Sequence, residues 1–168
     1  MTTYSNSRIG TFETCPLQYK YHYIDHEKTK QEDTVETFLG SYVHIALEKL
    51  YTDLKFEKLL TLKELIAFFN NEWNKNWNST IKINKKEYTQ DNYRKMGVKF
   101  ISEYYNKHKP FNKGKVIGLE TTDMLDIGNG QKYHIRIDRL VDIGNGCYEV
   151  HDYKTSNSLP KQEYLDND

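Results

Sequence analysis

The segment Asp126-Ile127-Gly128-Asn129-Gly130 recurs as Asp142-Ile143-Gly144-Asn145-Gly146, and this pair of Asn-Gly dipeptides constrains the fold more than any other feature. Asn-Gly between alternating apolar residues favours a two-residue turn with positive φ at both positions, the turn that joins antiparallel strands. Two such turns predict a three-stranded antiparallel meander over roughly 116–127, 132–143 and 147–154. The repeat reads as shared turn chemistry and not as a duplicated domain.

Upstream the hydrophobic period changes from two to that of a helix. Val43, Ala46, Leu47, Leu50 and Leu54 form one stripe, predicting a helix from Gly40 to Leu54. Thr61 and Glu64 form a capping box opening a second helix, whose apolar face is Leu62, Leu65, Ile66, Phe69, Trp73 and Trp77. A third helix is predicted over roughly 89–108, with Met96, Phe100 and Tyr104 inward, stopping before Pro110. Ser7 is the expected cap of a short first helix entering Ile9, Phe12 and Cys15, with Pro16 forcing a break or a fresh start. Residues 25–37 and the Asn- and Lys-rich stretch 78–87 read as loops, and the pattern fades after Thr155. Helices followed by strands give an α/β or α+β chain with a central sheet flanked by helices.

With 168 residues the chain suits one domain, and 37% hydrophobic with 29% charged residues suits a hydrophilic globular protein. Its 24 basic and 24 acidic residues cancel, which disfavours a partner held by bulk charge alone. Two distant cysteines, Cys15 and Cys147, make no disulfide scaffold. The first residues form no apolar signal region, and no run is long enough to span a bilayer, so a cytoplasmic protein is expected with no membrane partner.

The chemistry centres on Asp152-Tyr153-Lys154. On a strand, Asp152 and Lys154 would share a face with Val150, opposite His151 and Tyr153. Alone, such a pair is most simply a surface ion pair at a sheet edge. The preceding strand changes that reading, because Asp138 lies about as far before the Gly144–Gly146 turn as Asp152 lies after it. The hairpin can bring the two carboxylates together, where they would repel unless one held a proton or both met a cation. Oxygen ligands of this kind suit Mg2+. His44 sits at the border of the helical stripe, with Gly40 one turn earlier leaving space beside it. A lone histidine there is more often a packing residue than a ligand.

These residues belong to a longer series. Ser7-Arg8-Ile9 through Cys15-Pro16-Leu17-Gln18-Tyr19-Lys20-Tyr21 is followed by Gly40-Ser41-Tyr42-Val43-His44-Ile45-Ala46-Leu47. Then come Gly118-Leu119-Glu120, Ile137-Asp138-Arg139 and Val150-His151-Asp152-Tyr153-Lys154-Thr155. In this order the series resembles the PD-(D/E)XK nuclease superfamily, in its RecB-like branch. The resemblance implies a restriction-endonuclease-like core in which the meander belongs to a central mixed sheet. It implies Asp138 and Asp152 as ligands of Mg2+ or Mn2+, with the Tyr153 carbonyl and His44 completing the set. Lys154 would position or activate water and offset phosphate charge; Glu120 matches a recurrent glutamate that serves catalysis or structure. Ile135 departs from the family, which often has Gly there. The implied activity is metal-dependent hydrolysis of DNA phosphodiesters, as an endonuclease or exonuclease, in repair, recombination or defence. A noncatalytic nucleic-acid-binding scaffold of the same fold is the alternative, as is a structural domain carrying a surface ion pair.

In some RecB-like relatives a cysteine matching Cys15 joins three others to hold an iron–sulfur cluster. With only Cys147 besides, no cluster is expected. The remaining histidines (His22, His26, His108, His134 and His151) lack metal-ligand spacing, although His134 shares a face with Asp138. Lys82, Lys85 and Lys86 read as a solvated run, and the tyrosines of Tyr19–Tyr23 as packing. The family usually continues into a helix bearing Gln-x-x-x-Tyr, whereas Gln162 and Tyr164 have the wrong spacing. A C-terminally incomplete domain is therefore expected. Ile135, Ile137 and Tyr153 would lie on a bare sheet face, favouring self-association or a place in a larger repair complex.

Overall fold

The computed structural model describes residues 3–27 and 33–155. They fall into two compact units, one made of 3–27 with 112–152 and the other of 33–111 with 153–155.

The first unit is built on a mixed sheet. It opens with strand β1 (Thr3–Ser5) and helices α1 (Asn6–Thr14) and α2 (Pro16–Tyr19), then a π-helical turn Lys20–Ile24. Later come β2 (Lys115–Gly128), β3 (Gln131–Gly144) and β4 (Cys147–His151). Asn129 and Asn145 hold φ of 51° and 56°, and the glycines after them 70° and 74°, as the predicted turns require. The long β3 is central. β2 runs antiparallel along one side of it. On its other side β1 pairs in parallel with Lys132–His134, and β4 pairs antiparallel with Arg139–Gly144. The sheet is mixed because of β1, which is too short to show a sequence pattern.

The α1 cap is Ser5, not Ser7: its hydroxyl accepts from Arg8 N. Pro16 starts α2 at a position where its missing N–H costs nothing. Arg8 organises the tyrosines around it. It donates to the Tyr19 hydroxyl (3.1 Å) and the Thr3 carbonyl (2.8 Å), with its guanidinium 4.8 Å from the Tyr23 ring centre. These aromatics are therefore packing residues.

The second unit is a helical layer of α3 (Val35–Lys55), α4 (Leu62–Asn76) and α5 (Gln90–His108). α3 starts five residues before Gly40, because Thr34 caps it by accepting from Thr37 N. The Thr61–Glu64 capping box forms on α4 as expected, and Leu65, Phe69 and Trp73 are wholly buried. Burying three such side chains contributes roughly 1.5–3 kcal/mol each.

The inward stripe of α5 is Tyr93, Gly97, Ile101 and Tyr105, one position round from the predicted Met96, Phe100 and Tyr104. The tyrosines are buried because their hydroxyls find acceptors, Tyr93 on Glu36 (2.7 Å) and Tyr105 on the Leu60 carbonyl (2.8 Å). Among the described residues no helix is long and apolar enough to cross a membrane. Gln162, Tyr164 and the rest of the stretch after Thr155 lie outside the described residues.

Candidate active site

The sheet unit carries the acidic half. Ladder pairs Leu119–Arg139 and Thr121–Ile137 set Glu120 of β2 opposite Asp138 of β3. Their carboxylate oxygens lie within 4.8 Å of each other. Asp138 is 6% exposed, so two acids approach where water screens them poorly. Arg136 offsets part of this, donating from Nη2 (2.7 Å) and Nε (3.2 Å) to one oxygen of Glu120. Glu120 also holds a φ of +44°, rare for a residue with a side chain, and such outliers concentrate at functional sites.

The same face continues across β3 to β4. The final pair is Arg139–His151, so the next residues in register are Asp138 and Asp152. The described ladder thus stops one residue short of the Asp138–Asp152 pair that the turn distances imply. β4 ends at His151, and residues 152–155 are not strand. The shared strand face expected for Asp152 and Lys154 does not exist, and both side chains are exposed.

Tyr153 departs further from expectation. It does not lie on a sheet face. Within the helical unit its ring stands edge-on to Tyr104 (5.5 Å) and to His44 (5.4 Å). Tyr104 is fixed in turn by the Tyr51 hydroxyl at 2.7 Å and by stacking on His108. Ile135 and Ile137 are half-buried rather than bare.

His44 lies on α3, with its Nε2 3.1 Å from the Tyr153 carbonyl oxygen. Gly40, one turn earlier, lets the segment run close by: a Cβ there would stand 3.3 Å from Thr155 Oγ1. The space read beside Gly40 is thus filled by the chain that follows Asp152.

The donor chemistry fits a hard divalent cation. The sheet unit offers the carboxylates of Asp138, Glu120 and Asp152, and the helical unit an imidazole nitrogen and a carbonyl oxygen. Neighbouring ligands of an octahedral ion with bonds of about 2.1 Å stand about 3 Å apart. The His44–Tyr153 spacing matches that edge. It also suits a ring N–H donating to the carbonyl.

His134 pairs with Ser5 and Met124, four residues along β3 from Asp138, or about 13 Å. It belongs to the other end of the sheet. Sequence reasoning missed the opposite face, where buried Arg139 stands across from His151. Burial, with Arg139 adding to it, lowers the His151 pKa, against a weaker opposing pull from Glu149. No composition signal marks this pair, because Arg139 lies inside the segment that also supplies Asp138.

No curated protein matches the chain. A family model described as the PD-(D/E)XK nuclease superfamily matches residues 3–167. That match takes in β1, all the helices, both Asn-Gly hairpins and the Asp152–Lys154 segment, and with it the chain belongs to the PD-(D/E)XK nuclease superfamily.

Proposed function

We propose that the chain is a RecB-like, metal-dependent deoxyribonuclease, its two units forming one nuclease domain. His44, the Tyr153 carbonyl, Asp138 and Asp152 would hold Mg2+ or Mn2+. The observation that carries this is the His44–Tyr153 spacing of 3.1 Å, which pairs an imidazole with the backbone atom beside the motif lysine. Asp152 and Tyr153 are consecutive, so one peptide links the acidic ligands to the imidazole and carbonyl pair.

When bound, the cation would lower the pKa of a water and polarise a phosphoryl oxygen. The protein's own groups do the rest. Asp138 and Asp152 supply the charge that fixes the site's occupant. Lys154, exposed and two residues after Asp152 in the chain, would orient the attacking water and offset charge building on the phosphate. Glu120, tethered by Arg136 on the strand next to Asp138, adds a second carboxylate to that acidic face.

Incubation with linear and circular, single- and double-stranded DNA tests this. Cleavage is expected with Mg2+ or Mn2+ and none with chelator. Binding of DNA without cleavage under every metal would instead favour the noncatalytic scaffold.

A further inference from the structure

The helical unit holds a second feature that the proposed cleavage chemistry does not use. A cavity of about 330 Å³ is lined by Thr37, Phe38, Ser41 and Tyr42 of α3 and by Asn76, Asn78 and others. Its size falls in the range of small-ligand sites.

Its lining selects against phosphate. Among the described residues no lysine or arginine lines it, and its charged member is Asp33. Burial, with the Glu72 carboxylate adding to it, raises the Tyr42 pKa above its ordinary value, so that wall is uncharged. What remains is aromatic surface and amides. Phe38 and Tyr42 lie 4.3 Å apart and are half-buried. Asn76 uses its Nδ2 on the Glu72 carbonyl (2.8 Å), which leaves Oδ1 as an acceptor. Asn78 uses its Oδ1 on Thr80 N (3.0 Å), which leaves Nδ2 as a donor. A planar, uncharged ring with both donors and acceptors on its edge matches this lining.

We infer that this cavity takes one unpaired nucleobase of the DNA strand being cut. The inference rests on the nuclease reading, and the position on α3 supports it. Thr37 and Ser41 of the cavity wall precede His44 by seven and three residues, on its own stripe of α3 and roughly 10 and 4.5 Å away along the helix axis, with Phe38 and Tyr42 one position further round. A base held there belongs to a nucleotide close to the phosphate at His44. The enzyme would therefore prefer single-stranded or frayed DNA, since a base within a duplex cannot reach a pocket without leaving its stack.

The protein's two tryptophans, Trp73 and Trp77, both contact Phe38, with ring centres 4.8 and 5.4 Å away. Intrinsic tryptophan fluorescence therefore reports on this cavity. The test uses the full chain carrying Lys154→Ala with Mg2+, titrated with an oligothymidine, with an abasic strand of equal length, and with free thymidine. Labelled strands followed by polarisation measure binding independently. The expected result is quenching by oligothymidine, an abasic strand that quenches little and binds at least about fivefold more weakly, and a weaker effect of free thymidine. Ser41→Phe, at an exposed position of the cavity wall, should abolish the quench while leaving circular dichroism unchanged. Asn78→Ala should weaken binding about fivefold, the size of one hydrogen bond.

Equal polarisation binding of both strands without quenching would overturn the pocket and leave the nuclease reading standing. Quenching by thymidine but not by the strand would contradict the assignment to DNA. No binding of either strand would sink both readings together.

Discussion

The Nε2 of His44 lies 3.1 Å from the carbonyl oxygen of Tyr153. The contact joins a helix residue to the backbone between the motif aspartate and lysine. Gly40 lies beside the same segment, where a Cβ would stand 3.3 Å from Thr155 Oγ1. A ring nitrogen ligates a metal through its lone pair, so on the proposed reading His44 would add directly to cation affinity.

His44→Ala should weaken Mn2+ binding by roughly 10-fold or more, the scale of a lost ligand-shell partner. Calorimetric titration checks this. Equal Mn2+ affinity in variant and wild type would make the His44 contact purely structural.

Lys154 is expected to act on the reacting groups and not on the cation. Lys154→Ala should remove most cleavage while sparing Mn2+ affinity, whereas Asp152→Ala should lose both. Residues that work as a unit give non-additive losses, so the double variant should be little worse than the weaker single one. A double variant whose loss equals the product of the single losses would separate the two residues into independent roles.

The parts of the fold legible in the sequence were those with a local physical cause. Asn129-Gly130 and Asn145-Gly146 require positive φ, and Thr61-x-x-Glu64 satisfies its own helix end; both features stand where the sequence put them. The α5 stripe lies one position round from the predicted one, with Tyr93 and Tyr105 buried. Their acceptors, Glu36 and the Leu60 carbonyl, are distant in sequence and invisible to periodicity. β1 escaped notice because three residues carry no period; its strand character comes from pairing with Lys132–His134. At the site, the β3–β4 hairpin followed from turn arithmetic as far as the Arg139–His151 pair. The end of β4 did not, since Tyr153 leaves the sheet for partners on α3 and α5.

Gly97 is a position where packing outweighs helix propensity. An Ala Cβ there would overlap Phe69 Cζ and stand 3.0 Å from Leu39 Cδ1. Ala gains about 1 kcal/mol in propensity over Gly. Overpacking a buried site costs about 1–3 kcal/mol. Gly97→Ala should therefore destabilise the protein or at best leave it unchanged. Urea denaturation checks this, and a clear gain in stability would show that Phe69 has room to move.

Tyr93 should titrate late. Burial, with its hydrogen bond to Glu36, pushes its pKa to about 12 from the ordinary 10. A raised pKa contributes stability that is present below about pH 10 and is lost as pH rises through about 12. Absorbance titration should show a late phenolate step that Tyr93→Phe removes. Loss of that step with no change in alkaline stability would contradict the linkage.

Asp138 tests the central claim most directly, because it is buried opposite Glu120 and is assigned the bound cation. Mn2+ affinity and DNA cleavage should be measured side by side for wild type and Asp138→Ala, with circular dichroism confirming the fold. The account predicts tight Mn2+ binding and cleavage in wild type, and loss of both in a folded variant. Undiminished Mn2+ binding and cleavage by Asp138→Ala would contradict it.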